Sequence, residues 1–402
     1  MGLKRKQLLP STGQSLEKIS RLFGINLSSY LGRSYSFTLL VLFVFLNHVT
    51  WREVCTDYCA EHLIRKFMMI LQYMLYVLLV LTMVVTSLFR PRQFAFPRQE
   101  MLIIDSILES YGAQFSDKDI FIAKYLQDAV IIIMSLLVTM RFSYNMITYN
   151  SIALIWFFIH SWYTIVYLLI MDGLFSHYVN DIYLRFYELN KIAIQHSKEK
   201  LSVFYIDFKA TEAHNKHNGL VISKIRSIQH LHHSLSVLAT KVNANFSLQL
   251  LIASAISLNA IILYLHDVYY NMKTESGKSH MITFEIIFVI FHALRSLYIS
   301  YICQRSRNES RRMAKILHDA FLEHKSLRSE VVYFSLQMVH ENLVFTACGL
   351  YEINISLMCS IAGAVITYLV MVIQLDASAK FTVANTTRSY AENNSTSIDI
   401  TE

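Results

Sequence analysis

A chain of 402 residues with 54% hydrophobic and only 16% charged residues lies outside ordinary soluble domains, where charged residues run near a quarter. Ten Gly and three Pro exclude turn-rich all-β folds and disordered scaffolds, and five Cys make no disulfide framework. The net charge of +7 points to orientation across a bilayer rather than to nucleic acid, because Lys and Arg collect on the cytosolic side of membrane helices. The fold class that remains is all-α and integral to the membrane, consistent with a mean hydropathy of +0.38.

A span needs about 20 apolar residues. The first run, Tyr35 to Trp51, is short and centred on TLLVLFVFL, while the second, Phe67 to Phe89, carries no charge. Leu126 to Thr148 is the weakest, with an uninterrupted apolar centre only from Val130 to Met140 before Arg141. Ser151 to Met171, Phe246 to Leu265, Met281 to Cys303 and Ile353 to Leu375 complete seven spans. The segment between spans four and five has one Gly and no Pro over 180–245, with apolar residues at helical spacing around Ile182, Phe186, Leu189 and Ile192. Long helices extending beyond the bilayer are therefore expected there.

With the N-terminus inside, the inner segments carry 27 Lys plus Arg and the outer ones 7. That asymmetry predicts seven spans, an inside N-terminus and an outside C-terminus. The tail after Asp376 turns polar, with glycosylation sequons at Asn385, Asn393 and Asn394. The first run reads as a retained anchor, since no small-residue cleavage site follows it. Cys55 and Cys59, four apart, are poor disulfide geometry and are expected as thiols.

Seven of the 16 His fall in one inner segment: His177, His196, His214, His217, His230, His232 and His233. A membrane di-iron enzyme would need converging His boxes. The opening H-x-x-x-H is missing, and His318, His324 and His340 are too dispersed to complete a set, so solvated or packing histidines are expected, with no metal, no cofactor and no enzyme activity. No G-x-S-x-G, H-E-x-x-H or Walker A motif occurs. A G-protein-coupled receptor would place its N-terminus outside, against the charge asymmetry.

In the last span, Ser360, Gly363, Thr367, Met371 and Gln374 recur every three or four residues and share one helical face. Such a face suits a pore-lining helix, and it equally suits ordinary small-residue helix packing. Gln374 is costly in hydrocarbon unless it meets water or a partner.

Thr367-Tyr368, five residues, then Gln374 resembles the TYxxxxxQF signature in the final span of insect gustatory receptors. Phe345 to Leu357 (FTACGLYEINISL) is similar to that family's FTACGxFxIDxxL, with Gly349 and Asn354 in register. His232-x-x-Leu235, Val242-Asn243 and the Phe246 to Leu251 run resemble the family's H-x-x-L, I/VN-x-x-F and QLL elements. Leu375 stands where the family usually has Phe, and Leu369 stands where its main sugar-receptor branch tends to have Glu.

The resemblance implies a tastant-gated cation channel of chemosensory neurons in the plasma membrane. It would be built as a homo-tetramer, or a hetero-tetramer with other gustatory receptors, around a pore lined by the last helix. The implied map is 1–34 cytosolic segment, 35–175 first four spans, 176–245 cytosolic anchor, 246–303 spans five and six, 304–352 cytosolic anchor, 353–375 pore helix and 376–402 outer tail. Ser360, Gly363, Thr367, Met371, Gln374 and Leu375 would line the pore. His232, Leu235, Asn243, Phe246, Gly349 and Asn354 would belong to the anchor. Partners implied are a small-molecule tastant and membrane lipid, with no nucleic acid. A ligand pocket within the outer half of spans two to six would draw on Tyr73, Tyr76, Arg141, Tyr144, Trp156, His160, Asn259, Glu285 and His292. Arg141 and Glu285 stand out, because ionisable groups inside a membrane are expensive. The alternatives are that Arg141 caps a helix near headgroups, that Glu285 lies in the interface and that the tyrosines form an interfacial belt. The two other function classes are a seven-span metabotropic receptor and a membrane di-iron enzyme.

Overall fold

The computed structural model describes residues 14–25, 29–57, 63–89, 98–113, 127–149, 152–204, 211–273, 279–321 and 328–374. Leu375, the tail with its sequons, His324 and Cys59 lie outside the described residues, as do the side chains of Cys55, Asn145, His196, His214 and His217.

Helices make up nearly all of the described chain: α1 (Gln14–Leu22), α2 (Tyr30–Asp57), α3 (Leu63–Phe89), α4 (Arg98–Ser110), α5 (Gln127–Tyr149), α6 (Ile152–Phe204), α7 (Thr211–Lys273), α8 (Ser279–Phe321), α9 (Arg328–His340) and α10 (Ser356–Gln374). Six of them, α2, α3, α6, α7, α8 and α10, are long and apolar enough to cross a membrane. The seventh expected span, α5, is helical over 23 residues, about 34 Å at 1.5 Å per residue. Its apolar stretch is only Ile132–Arg141, so length rather than composition qualifies it.

At 53, 63 and 43 residues, α6, α7 and α8 would measure about 80, 95 and 65 Å. Each far exceeds a hydrocarbon core of about 30 Å. Their surplus lies at one end of the molecule, where Phe186, Leu189, Leu235, Leu238, Val242, Met313, Leu317 and α9's Phe334 share a buried core. Buried polar contacts join the same elements: Arg185 of α6 grips Asp105 of α4 through two 2.7 Å hydrogen bonds, and Asn190 Nδ2 donates to the Glu309 carbonyl at 2.8 Å. The amino-terminal end of α2 lies near this extension, because α1, which precedes it, meets α6 through a 3.4 Å bond from the Tyr178 hydroxyl to Glu17.

Between α9 and α10 the chain makes a small hairpin, β1 (Thr346–Ala347) against β2 (Tyr351–Glu352). The turn places Cys348 at φ 52° and Gly349 at φ 71°, with the Leu350 amide donating to the Ala347 carbonyl at 3.0 Å. Two successive positive φ values are the type I′ geometry that matches strand twist, and Gly is the residue that adopts it without strain. This accounts for the Cys-Gly of the FTACG sequence.

Candidate functional site

Helix α10 is amphipathic in the protomer. Ile361 and Val365 are buried with α3's Met68 and α7's Ile261, Ile262 and Leu263, and Leu357, Tyr368 and Leu369 pack beside them. The expected polar stripe lies on the opposite side. Ser360, Gly363, Thr367, Met371 and Gln374 are all exposed, and a Cβ built on Gly363 meets nothing within 4 Å. The Thr367 hydroxyl donates to the Gly363 carbonyl at 2.9 Å, which keeps that hydroxyl satisfied on a membrane helix. So the stripe is not part of the helix packing inside its own bundle.

The foot of α10 is firmly seated. Asn354 Oδ1 accepts from the Leu357 amide at 3.2 Å, an N-cap. Gln304 Oε1 accepts from the Ile355 amide at 3.0 Å. Asn243 Oδ1 accepts from the Thr346 amide at 3.1 Å, and Ser247 Oγ accepts from the Cys348 amide at 2.6 Å. Four residues from the motif segments, Asn243, Ser247, Gly349 and Asn354, therefore form one junction of α7, the hairpin and α10.

The second constellation lies among α5, α7 and α8. Arg141 and Glu285 meet at 3.0 Å with side chains only 22% and 12% exposed. The guanidinium carbon sits 4.2 Å from the Phe288 ring centroid and 5.3 Å from that of Tyr264. His292 is fully buried, its ring 6.1 Å from Tyr264 and 4.8 Å from Phe291. Arg141 Nη1, Glu285 Oε2 and both His292 ring nitrogens are buried without hydrogen-bond partners among the described residues. The site thus combines aromatic walls with buried donors and acceptors that make no hydrogen bond among the described residues.

Other expected pocket residues go elsewhere. Tyr73 donates to the Asn47 carbonyl at 2.9 Å and stacks on His160 at 4.6 Å, and Phe43 stacks on the same imidazole at 5.7 Å. That stack ties α3 to α2 and α6. Asn259 donates to the Met68 carbonyl at 3.0 Å and to Gln72 Oε1 at 2.8 Å, joining α7 to α3. Tyr76 does not leave the Arg141–Glu285 site: it is buried on α3 within electrostatic reach of Tyr264 and Arg141, whereas Tyr144 (beside Phe284 at 5.3 Å) and Trp156 are exposed at the margin.

Sequence reasoning missed Phe288 and Phe291, which carry no signal beyond their spacing from Glu285. It also left Arg295 unpaired: its Nη1 reaches Asp172, and its Nη2 donates to the Ala253 carbonyl at 2.6 Å and to Ser257. A cavity of about 20 Å³, the size of one water, is lined by Asp172, Ser254, Arg295, Ser300 and α10's Leu357 and Ile361.

In the extension, His232 is buried, its Nε2 3.1 Å from the Ser310 carbonyl and its ring packed on Phe186 and Phe334. Burial holds its pKa below the usual imidazole value. Leu235 and Phe246 are likewise buried within the protomer. Among the described residues no group of three or more His, Cys, Asp or Glu gathers to hold a metal ion.

A family model described as 7tm Chemosensory receptor matches residues 18–378. Putative gustatory receptor 28b of Drosophila melanogaster is 28% identical over 166 residues, 39% of this chain and 35% of that protein. Gustatory receptor 23a is 25% identical over 153 residues, covering 38% and 41% of the two chains. The Drosophila gustatory receptor for sugar taste 43a is 25% identical over 166 residues, covering 41% and 38%. The chain thus spans between a third and about two fifths of the length of these curated relatives. Among solved structures, the insect olfactory receptor OR5 from Machilis hrabei superposes with a TM-score of 0.59 at 12% identity, over 90% of this chain and 97% of that one. Its complex with eugenol gives 0.60 at 13%, over 91% and 98%. These likenesses give the same fold, an all-α multi-pass membrane bundle.

Proposed function

Because the chain belongs to the 7tm chemosensory receptor family, we propose that it is a gustatory receptor acting as a tastant-gated, non-selective cation channel. Four copies, identical or drawn from other gustatory receptors, surround a conduit lined by the stripe from Ser360 to Gln374. The N-terminus and the helical extension face the cytosol of a sensory neuron, and the end of α10 faces outside. The observation that carries this reading is the exposure of the whole polar stripe while the opposite face of α10 is buried. A face bearing Thr and Gln on a membrane helix is stable against water and costly against lipid.

The ligand enters the Arg141–Glu285 site, where a small organic molecule meets the unused donors and acceptors beside Tyr264 and Phe288. OR5 was solved with eugenol, which supports a small organic ligand here as well. Binding opens the conduit only in so far as the ligand prefers the open arrangement of α5, α7 and α8. Apolar side chains near the outer end of α10 then move aside and admit hydrated ions.

Whole-cell recording of the full-length chain against a tastant panel tests this. A current that persists under G-protein blockade and whose cation permeability changes with Gln374→Glu is expected. A current abolished by the blockade, or permeability untouched by Gln374 substitution, overturns it.

A further inference from the structure

The short helix α1 has two different faces. Leu16, Glu17 and Ser20 are buried, whereas Lys18, Ile19, Arg21 and Leu22 are exposed. The buried side is locked in place. The Phe23 ring packs 5.8 Å from Tyr163 and 6.1 Å from Tyr167 of α6. Gly24 turns at φ +81°, and its carbonyl accepts from Ser36 Oγ at 2.7 Å and from Ser87 Oγ at 3.3 Å. The Leu22 carbonyl accepts from the Tyr35 hydroxyl at 2.7 Å. α1 is thus fixed to α2, α3 and α6 with a defined outward face.

That face continues onto the surface of α2. Tyr30 and Leu31 are 89% and 86% exposed, Arg33 and Tyr35 are exposed, and from Phe37 through Val41, Leu42, Val44 and Phe45 the exposed surface of α2 is apolar apart from Thr38, whose hydroxyl donates to the Ser34 carbonyl at 3.0 Å. Tyrosines and arginines one to two turns below an apolar surface mark the headgroup layer of a bilayer. The hydrogen bond from Tyr35 to Leu22 places the end of α1 at the same depth. Lys18, Arg21 and Arg33 have no salt-bridge partner among the described residues, and the one acidic residue of α1, Glu17, is turned inward. The exposed face therefore offers only positive charge, set among Ile19, Leu22 and Leu31, at the level where phosphates lie.

We propose that the face of α1 bearing Lys18, Ile19, Arg21 and Leu22, together with Tyr30 and Arg33 at the foot of α2, is a docking surface for anionic phospholipid headgroups. Its basic side chains bind the phosphate and carboxylate groups, and its apolar side chains enter the acyl boundary, as in interfacial amphipathic helices. With the extension on the cytosolic side, as proposed above, the lipid is that of the inner leaflet, where anionic headgroups are concentrated. The site anchors the first helix pair and makes the packing of α1 on α6 sensitive to lipid charge.

Native mass spectrometry of the full-length protein, presented with equimolar phosphatidylserine and phosphatidylcholine in mixed micelles, tests the proposal directly. Wild type is expected to retain phosphatidylserine selectively. K18Q/R21Q is expected to lose that preference by about five-fold for each charge removed, the equivalent of roughly 1 kcal/mol each, while K18R/R21K keeps it. The control K315Q/R328Q, which removes two exposed basic residues from the extension, is expected to keep it too. Unchanged selectivity in K18Q/R21Q, or an equal loss in the control, overturns the proposal. So does dissociation of the K18Q/R21Q assembly with lipid preference intact, which would assign the face to a neighbouring copy. The lipid readout needs no ligand response, so it can fail or succeed independently of the channel reading.

Discussion

Neutralising Glu285 while keeping its shape, as Glu285→Gln does, leaves the Arg141 guanidinium without its counter-charge at membrane depth. Removing one partner of a fully buried ion pair costs about 3–5 kcal/mol. Here the side chains retain 22% and 12% exposure, and the Phe288 and Tyr264 rings still face the cation, worth about 0.5–2 kcal/mol. A net penalty of about 2 kcal/mol remains, close to a thirty-fold change in an equilibrium constant. If the pair lines the ligand site, that penalty falls unequally on the bound and free states, and the tastant dose–response moves by about ten- to thirty-fold. The assay is whole-cell current against ligand concentration, with each variant scaled to its surface expression. Arg141→Gln combined with Glu285→Gln removes both charges and is expected to recover much of the loss, giving a coupling energy of about 1 kcal/mol or more in the double-mutant cycle. Dose–response curves within two-fold of wild type for both single variants, at normal surface expression, would refute the placement of this pair in the ligand site.

Breaking the buried Arg185–Asp105 clamp with Asp105→Asn, whose partners are 4% and 3% exposed, is expected to cost about 3 kcal/mol; detergent-solubilised protein should unfold at a clearly lower temperature, and an unchanged transition would show the clamp to be dispensable. Asn354→Ala removes the N-cap of α10 and should cost about 1 kcal/mol, read as a shift in the ligand concentration for half-maximal current, whereas Asn354→Asp should behave as wild type. Gly349→Ala, placed at φ +71°, should destabilise by about 1 kcal/mol through backbone strain alone, since the site has open space; thermal unfolding that matches wild type would contradict the turn geometry. The neutral, buried His232 makes the unfolded chain the better proton binder below about pH 6.5. Stability is therefore complete above that pH and declines as the pH falls through the window down to the lowered pKa of the folded state; His232→Gln should flatten that decline in thermal scans between pH 7 and 5.

Much of α10 was legible in advance, because a helix with period 3.6 fixes which residues share a face, and the stripe from Ser360 to Gln374 required nothing else. The pairing of Arg141 with Glu285 was legible for a different reason, since two opposite charges within spans have few ways to be satisfied except by each other. What the periodicity leaves open is which helices are neighbours. Tyr73 and His160 were grouped with Arg141 by depth alone, yet they face α2, so they form a stack of their own. Arg295 and Asp172 are separated by 123 positions, and no local pattern joins them. The hairpin at Thr346–Glu352 was hidden because two-residue strands are too short for alternation to register.

The junction of Asn243 and Ser247 with the hairpin, together with the Asn354 cap, makes the base of α10 a fulcrum rather than a free end. Nineteen residues rise from it, a rod of about 28 Å. A tilt of merely 5° about that pivot sweeps the far tip by roughly 2.4 Å, given the rise of 1.5 Å per residue. If four copies surround a conduit, as proposed above, four such rods leaning in concert would widen its throat by several ångströms while their bases stay where they are, and leverage would magnify a small rearrangement at the Arg141–Glu285 end of the bundle.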